Sequence, residues 1–124
     1  MRYLFKATVV KVYDGDTIGC VVDLGFNHFW GQSSHPIKFR LHGINCHEIS
    51  LRTGMTQTEK DLGLLAKQYV TDQLLGKEIT LESLKLQGQT GGWDRYAAII
   101  WLDGSTVSFN DHLVDAGHAV YVAV

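Results

Sequence analysis

Three short runs of β-branched and aromatic residues precede a single long helical stretch, and two more follow it. A parallel α/β sheet cannot be built from that order, because parallel neighbours need a crossover, usually helical, between successive strands. Residues 3–12 (YLFKATVVKV) and 17–24 (TIGCVVDL) read as two strands of a hairpin whose turn is the Asp- and Gly-rich DGDT. Residues 25–36 (GFNHFWGQSSHP) read as a long irregular loop. In residues 37–42 (IKFRLH), Ile37, Phe39 and Leu41 share one face, and Lys38, Arg40 and His42 share the other. The helix spans 58–75, with Thr58 as cap and Asp61 completing a near capping box. Its expected apolar face is Leu62, Leu65, Ala66, Tyr69 and Val70, and Gly76 ends it. Residues 77–85 (KEITLESLK) form the fourth strand, LQGQTGGWD a glycine-rich loop, and 96–102 (YAAIIWL) the fifth strand, turning at Asp103-Gly104. A short helix starts at Ser108 or Asn110, covers 110–116 and stops at Gly117, and HAVYVAV is extended. The order predicts an α+β fold: a small antiparallel barrel with helices on one side, one domain over residues 1–124.

Charge narrows the function. Eleven Lys and Arg against 13 Asp and Glu give a net charge of −2. Proteins that grip long nucleic acid carry a basic face, because phosphate neutralisation dominates their affinity. Nucleic-acid contact by this chain is therefore expected to be weak, or to occur at a focused site with a bound cation. The two cysteines, Cys20 and Cys46, read as free thiols. No apolar run is long enough to span a bilayer, and MRYLFKATVV lacks the layout of a secretory signal. The expected location is the cytoplasm, with no membrane partner.

Three stretches hold charged residues that hydrophobic patterning does not explain: Asp14-Gly15-Asp16-Thr17, Arg40 to Glu48 (RLHGINCHE), and Arg95 in WDRYAA. Two acids within three residues repel unless positive charge sits beside them. Ca²⁺, which takes six to eight oxygens, would supply that charge. In the second stretch Asn45 offers an amide oxygen, Cys46 a main-chain carbonyl and Glu48 a carboxylate. An all-oxygen set favours Ca²⁺ or Mg²⁺. A zinc reading would use Cys46, His47 and either His42 or Cys20, a spacing that matches no ordinary zinc module. Arginine suits a phosphodiester, because its planar fork donates paired hydrogen bonds and stays charged. Trp93, Trp30 and Phe29 lie in glycine-bearing loops, where an aromatic ring can stack on a base or, for Trp30, cap the open end of a barrel.

In order, DGDT, RLxGI-x-x-x-E, a lone arginine before a strand, Asp-Gly, and N-x-x-LV-x-x-G-x-A (Asn110 to Ala119) resemble the staphylococcal nuclease, or thermonuclease, family over about residues 5–120. The resemblance implies a five-stranded OB-fold barrel with about three helices. It also implies Ca²⁺-dependent hydrolysis of DNA and RNA that leaves 3′-phosphate ends, by a monomer acting on single-stranded or frayed strands. Asp16 matches the family's first calcium-ligand aspartate, with Asn45 and the Cys46 carbonyl completing the metal set. Asp14 and Thr17 stand behind it. Arg40 and Arg95 match the two phosphate-binding arginines, Glu48 matches the glutamate that activates or positions water, and Trp93 stands where substrate is contacted. Asn45-Cys46-His47 departs from the family pattern, in which an aspartate and then a proline stand here. One negative charge is lost, so weaker Ca²⁺ binding is expected. Two alternatives stay open. One is an OB-fold module that binds nucleic acid or protein without chemistry. The other is a thiol or zinc hydrolase at Cys46 and His47, although adjacent residues on an extended chain point apart.

Overall fold

The computed structural model describes residues 2–46, 57–84 and 95–122, and of Arg95 the backbone alone. In chain order its elements are β1 (Tyr3–Asp14), β2 (Thr17–Gly25), β3 (His28–Trp30), β4 (Ile37–Leu41), β5 (Ile44–Cys46), α1 (Gln57–Leu74), β6 (Glu78–Ser83), β7 (Arg95–Trp101), α2 (Phe109–Asp115) and β8 (Ala119–Tyr121).

Strand β1 sets the architecture. Its pairing with β2 slips between Val9 and Lys11 and again between Val12 and Asp14, so Val10 and Tyr13 are extra residues. Each bulge bends the strand and increases its twist. The inward positions change parity as a result, from Ala7 and Val9 to Val12. The bent strand therefore serves two neighbours: Tyr3 to Thr8 pair with β6, and Lys6 to Asp14 pair with β2. The order β1-β6-β7-β4-β2, closed by β1–β2, makes a five-stranded barrel. The chain is thus an α+β protein, its barrel OB-fold-like, with two helices among the described residues.

Several sequence expectations change in detail. The barrel is mixed, not wholly antiparallel, because β4 and β7 pair in parallel. Residues 25–36 are not all loop. The chain turns at Phe26 and Asn27, both at positive φ (55° and 61°), and returns as β3 against the outer end of β2. Thr58 is not a cap, since the helix already includes Gln57. Asp61 accepts a hydrogen bond from the Gln57 side chain. The buried face of α1 is Gly63, Ala66, Val70 and Leu74, while Leu62 and Leu65 are exposed. The glycine-rich loop 86–94 lies outside the described residues.

Ile18, Phe39, Leu41, Leu81 and Ile100 fill the barrel, and Val70 and Leu74 of α1 and Phe109 and Leu113 of α2 pack on the same cluster. Trp30, on β3, packs edge-on to Phe39 at 6.1 Å and to Tyr96 at 5.1 Å between ring centroids.

Helix α2 is fastened by polar contacts. Ser108 caps it, its hydroxyl accepting from the Asp111 N–H at 3.1 Å. Asn110 is 3% exposed and fully bonded: Oδ1 accepts from the Ile100 N–H, and Nδ2 donates to the carbonyls of His42 and Ala98. One amide thus ties α2, β7 and the corner after β4 together. Asn110→Ala strands buried main-chain groups on two elements, and the expected loss is about 2–4 kcal/mol. Chemical denaturation measures it; a loss below about 1 kcal/mol would mean that water replaces the amide.

Candidate functional site

Tight packing brings the acid turn to the second motif. Gly15 sits between β1 and β2, and a Cβ there would lie 2.8 Å from Cys46 Sγ and 3.0 Å from Ala66 Cβ. Only glycine lets the turn, β5 and α1 approach this closely, which also explains why α1 buries small residues here. The corner carrying β5 is made by His42 and Gly43, the glycine at φ 83°. From that corner, Asn45 and Cys46 return toward the acid turn.

Asp16 lies at the centre of the site and is mostly buried. Its main-chain carbonyl accepts from the Leu41 N–H at 2.8 Å. Its carboxylate accepts from the Thr17 hydroxyl at 3.3 Å and from the Cys46 N–H at 3.0 Å. The Arg40 guanidinium forms an ion pair with it at 2.9 Å. The same guanidinium donates to the Ile44 carbonyl at 3.0 Å and to the Asn45 side-chain oxygen. Arg40 does stand on the face opposite the core, as the alternation predicts. It is not held open for a ligand, because three acceptors of its own chain engage it.

Charge in the turn is divided unequally. Asp14 accepts from the Asp16 N–H at 3.2 Å, which puts the two carboxyl groups side by side. Burial first, then hydrogen bonding to and repulsion by Asp16, raises the Asp14 pKa from 3.8 to about 6. Burial pushes Asp16 up as well, but bonds from the Asp14 carboxyl, the Cys46 N–H and the Arg40 guanidinium outweigh it and hold Asp16 below the usual carboxylate value. Asp14 therefore takes the proton first, and Asp16 keeps its charge. Burial, reinforced by the charges of Asp16 and Asp14, pushes the Cys46 thiol to about 12, and burial alone pushes Cys20 to about 12. A thiol held protonated at neutral pH is neither a nucleophile nor a ready zinc ligand.

The structure thus brings Asp14, Asp16, Thr17, Arg40, Asn45 and Cys46 into one network. Arg95 starts β7 in register with Lys38, one pleat along from the Arg40–Ala97 pair. Glu48, His47 and Trp93 lie outside the described residues. Among the described residues, no group of three or more His, Cys, Asp or Glu is placed to hold a metal ion. The donors present are nonetheless hard oxygens, and Asp16 Oδ2 and the Asn45 oxygen converge on one cationic group. Oxygens of this kind are what a cation such as Ca²⁺ accepts, and here Arg40 occupies both. Sequence reasoning overlooked Lys11, Tyr13 and Lys38, which flank the network. The signal was there for Lys38, which shares the outward alternation with Arg40. Comparison with known proteins adds no assignment: no protein-family model matches the chain, and no curated protein matches it.

Two outcomes test this electrostatic picture. Asp14 binds its proton more tightly in the folded state, so its favourable contribution is full below about pH 4 and is lost as pH rises through about 6. Asp14→Asn keeps the acceptor and cannot ionise. Its thermal midpoint should exceed that of the native protein near pH 7.5, with no gain near pH 4, measured in chelator. An equal gain at both pH values would show that ionisation of Asp14 is not the cause. Separately, a chromogenic disulfide reagent should find neither cysteine reactive in the native protein and both reactive after unfolding. Fast native labelling of Cys46 would restore the thiol reading.

Proposed function

We propose that this protein is a calcium-dependent phosphodiesterase that cleaves single-stranded or frayed DNA and RNA. The observation that carries the reading is the convergence of Asp16 from the acid turn and Asn45 from β5 on the guanidinium of Arg40. Metal-assisted phosphodiester hydrolysis needs oxygen ligands beside a fixed phosphate-binding cation. Asp16, Asn45 and the Cys46 carbonyl would hold Ca²⁺, which when bound neutralises charge on a non-bridging phosphate oxygen.

The chain's own residues then divide the work. Arg40, with donors on both arms of its fork, exchanges an internal acceptor for a phosphate oxygen and stabilises the charge that grows in the pentacovalent transition state. Arg95 supplies the second clamp from the first position of β7. Glu48 orients a water or accepts its proton for in-line attack. The 5′-oxygen leaves, in keeping with the motif resemblance, and 3′-phosphate ends result. The Asp14 carboxyl and the Cys46 N–H keep Asp16 ionised, and the Thr17 hydroxyl helps to aim it.

One observation favours a second reading. Arg40 is already satisfied by Asp16 and Asn45, and Asn45 adds no negative charge for a metal. A barrel with its site closed in this way would bind strands without cutting them.

Cleavage of a labelled single-stranded oligonucleotide over a Ca²⁺ titration, with a chelator control, separates the two. The native protein should need Ca²⁺ in the range of about 10⁻⁴–10⁻³ M or above, as expected of a site poor in charge. Asn45→Asp should lower that requirement about tenfold, because affinity follows ligand charge. Glu48→Gln should cut turnover by about 10²–10⁴ with the fold intact. Undiminished cleavage by Glu48→Gln would displace this site, and no cleavage by any variant at any Ca²⁺ concentration would leave the binding module.

A further inference from the structure

Two adjacent rungs cross the outer face of the barrel. One runs Asp14, Thr17, Arg40, Ala97 through β1, β2, β4 and β7. The next, in the same strand order, runs Lys11, Gly19, Lys38, Arg95. Three of its four positions are cationic, although the chain as a whole is acidic. Lys38 and Arg95 stand in register on the neighbouring parallel strands β4 and β7. A row of this kind is suited to an anion that lies across it.

Tyr13 gives the row its shape. It is the extra residue of the second bulge in β1, and its ring carries both lysines, with the ammonium groups of Lys11 and Lys38 each 4.8 Å from the ring centroid. A cation held over a tyrosine face keeps its charge while losing freedom. Gly19 leaves room for the ring, since a Cβ there would meet Tyr13 Cε2 at 3.1 Å and Pro36 at 3.0 Å. An aromatic ring, a residue without a side chain and a bulge thus combine to hold two ammonium groups on one patch beside the site.

We propose that Lys11 and Lys38 form a polynucleotide subsite that takes backbone phosphates of a single strand next to the bond held at Arg40, with Tyr13 as the positioning residue. Rungs two residues apart lie about 7 Å apart along a strand, comparable to the step between phosphates in an extended single strand. The subsite selects a chain of nucleotides over a single one and gives an acidic protein a local phosphate track. It reads phosphates and not bases, so it works equally on DNA and RNA. The identity of its ligand rests on the phosphodiesterase reading, but the test needs no cleavage.

Fluorescence anisotropy of a labelled oligothymidylate of about ten nucleotides, in chelator and over a series of salt concentrations, makes the measurement. Lys11→Gln with Lys38→Gln should weaken binding about tenfold and flatten the log K against log salt slope by about 1.4, at about 0.7 per phosphate for a single strand. Lys60→Gln with Lys77→Gln removes the same charge elsewhere and should stay within about twofold of the native protein. Tyr13→Leu should weaken binding with little change in slope, and Tyr13→Phe, which keeps the ring, should restore it. A double variant at positions 11 and 38 that behaves like the control pair overturns the subsite, as does a native protein that does not bind. Binding lost through the row, without cleavage at any Ca²⁺ concentration, would support the subsite and defeat the phosphodiesterase reading. Cleavage with the row irrelevant to binding would do the reverse.

Discussion

A largely buried ion pair, Asp16 with Arg40, holds three separated pieces of chain together at the edge of the barrel. Taking a carboxylate out of water is unfavourable, and this one remains ionised because the Asp14 carboxyl, the Cys46 N–H and the Arg40 guanidinium replace its hydration. Deleting one member of such a pair strands the other charge, typically at about 3–5 kcal/mol. The acid turn, β4 and β5 are therefore bound to a single electrostatic solution. Gly15 makes the solution reachable by letting the turn press against Cys46 and Ala66. The arrangement that supports a functional reading is also the one that secures the corner structurally.

The sequence was legible where a local rule and the tertiary environment agreed. Strand β4 has one face in the core and a ladder on both edges, so the alternation of Ile37, Phe39 and Leu41 was enough to place Arg40 outward. It was less legible where the environment changed the rule. Helix α1 offers leucines at 62 and 65 as an apolar face, yet the surface it meets is a turn with no room for them, and Gly63 and Ala66 are buried instead. The return of the chain as β3 was hidden because Phe26-Asn27 is not a usual hairpin pair, a bulky residue at positive φ being uncommon. The parallel pairing of β4 with β7 joins residues far apart in sequence and leaves no local trace. At the site, Asp14, Asp16, Arg40 and Asn45 stood out because hydrophobic periodicity left them unexplained. That Arg40 closes on Asp16 and Asn45 is a matter of distance, and no residue pattern carries it. The lysine row was equally hidden, because the bulge at Tyr13 is an event of register.

Net charge turns out to be a weak guide to this molecule. A sum over the whole chain weighs Lys6 with Glu78 and Arg2 with Glu82 equally with the site, although those pairs satisfy each other at the surface. A ligand a few ångströms away responds to nearby charges, since screening removes most effects beyond about 8–10 Å at ordinary ionic strength. Near the site Asp16 is paired with Arg40, and Lys11 and Lys38 stand on the neighbouring rung, a local grouping that the sum over the chain does not register.

The bulged first strand has a kinetic meaning as well. One half of β1 finds β2 across a short turn, but the other half waits for β6, whose Glu78 to Ser83 are made 70 to 80 residues after their partners. The parallel contact of β4 with β7 comes later in synthesis still. Barrels closed by such distant pairings order slowly, on the order of milliseconds to seconds, because loop entropy is lost before the contacts repay it. On the ribosome the opening hairpin emerges with one edge unpaired, and α1, the next long element to follow it, packs directly against β1. Strand β1 is therefore left with an open edge until β6 has been made.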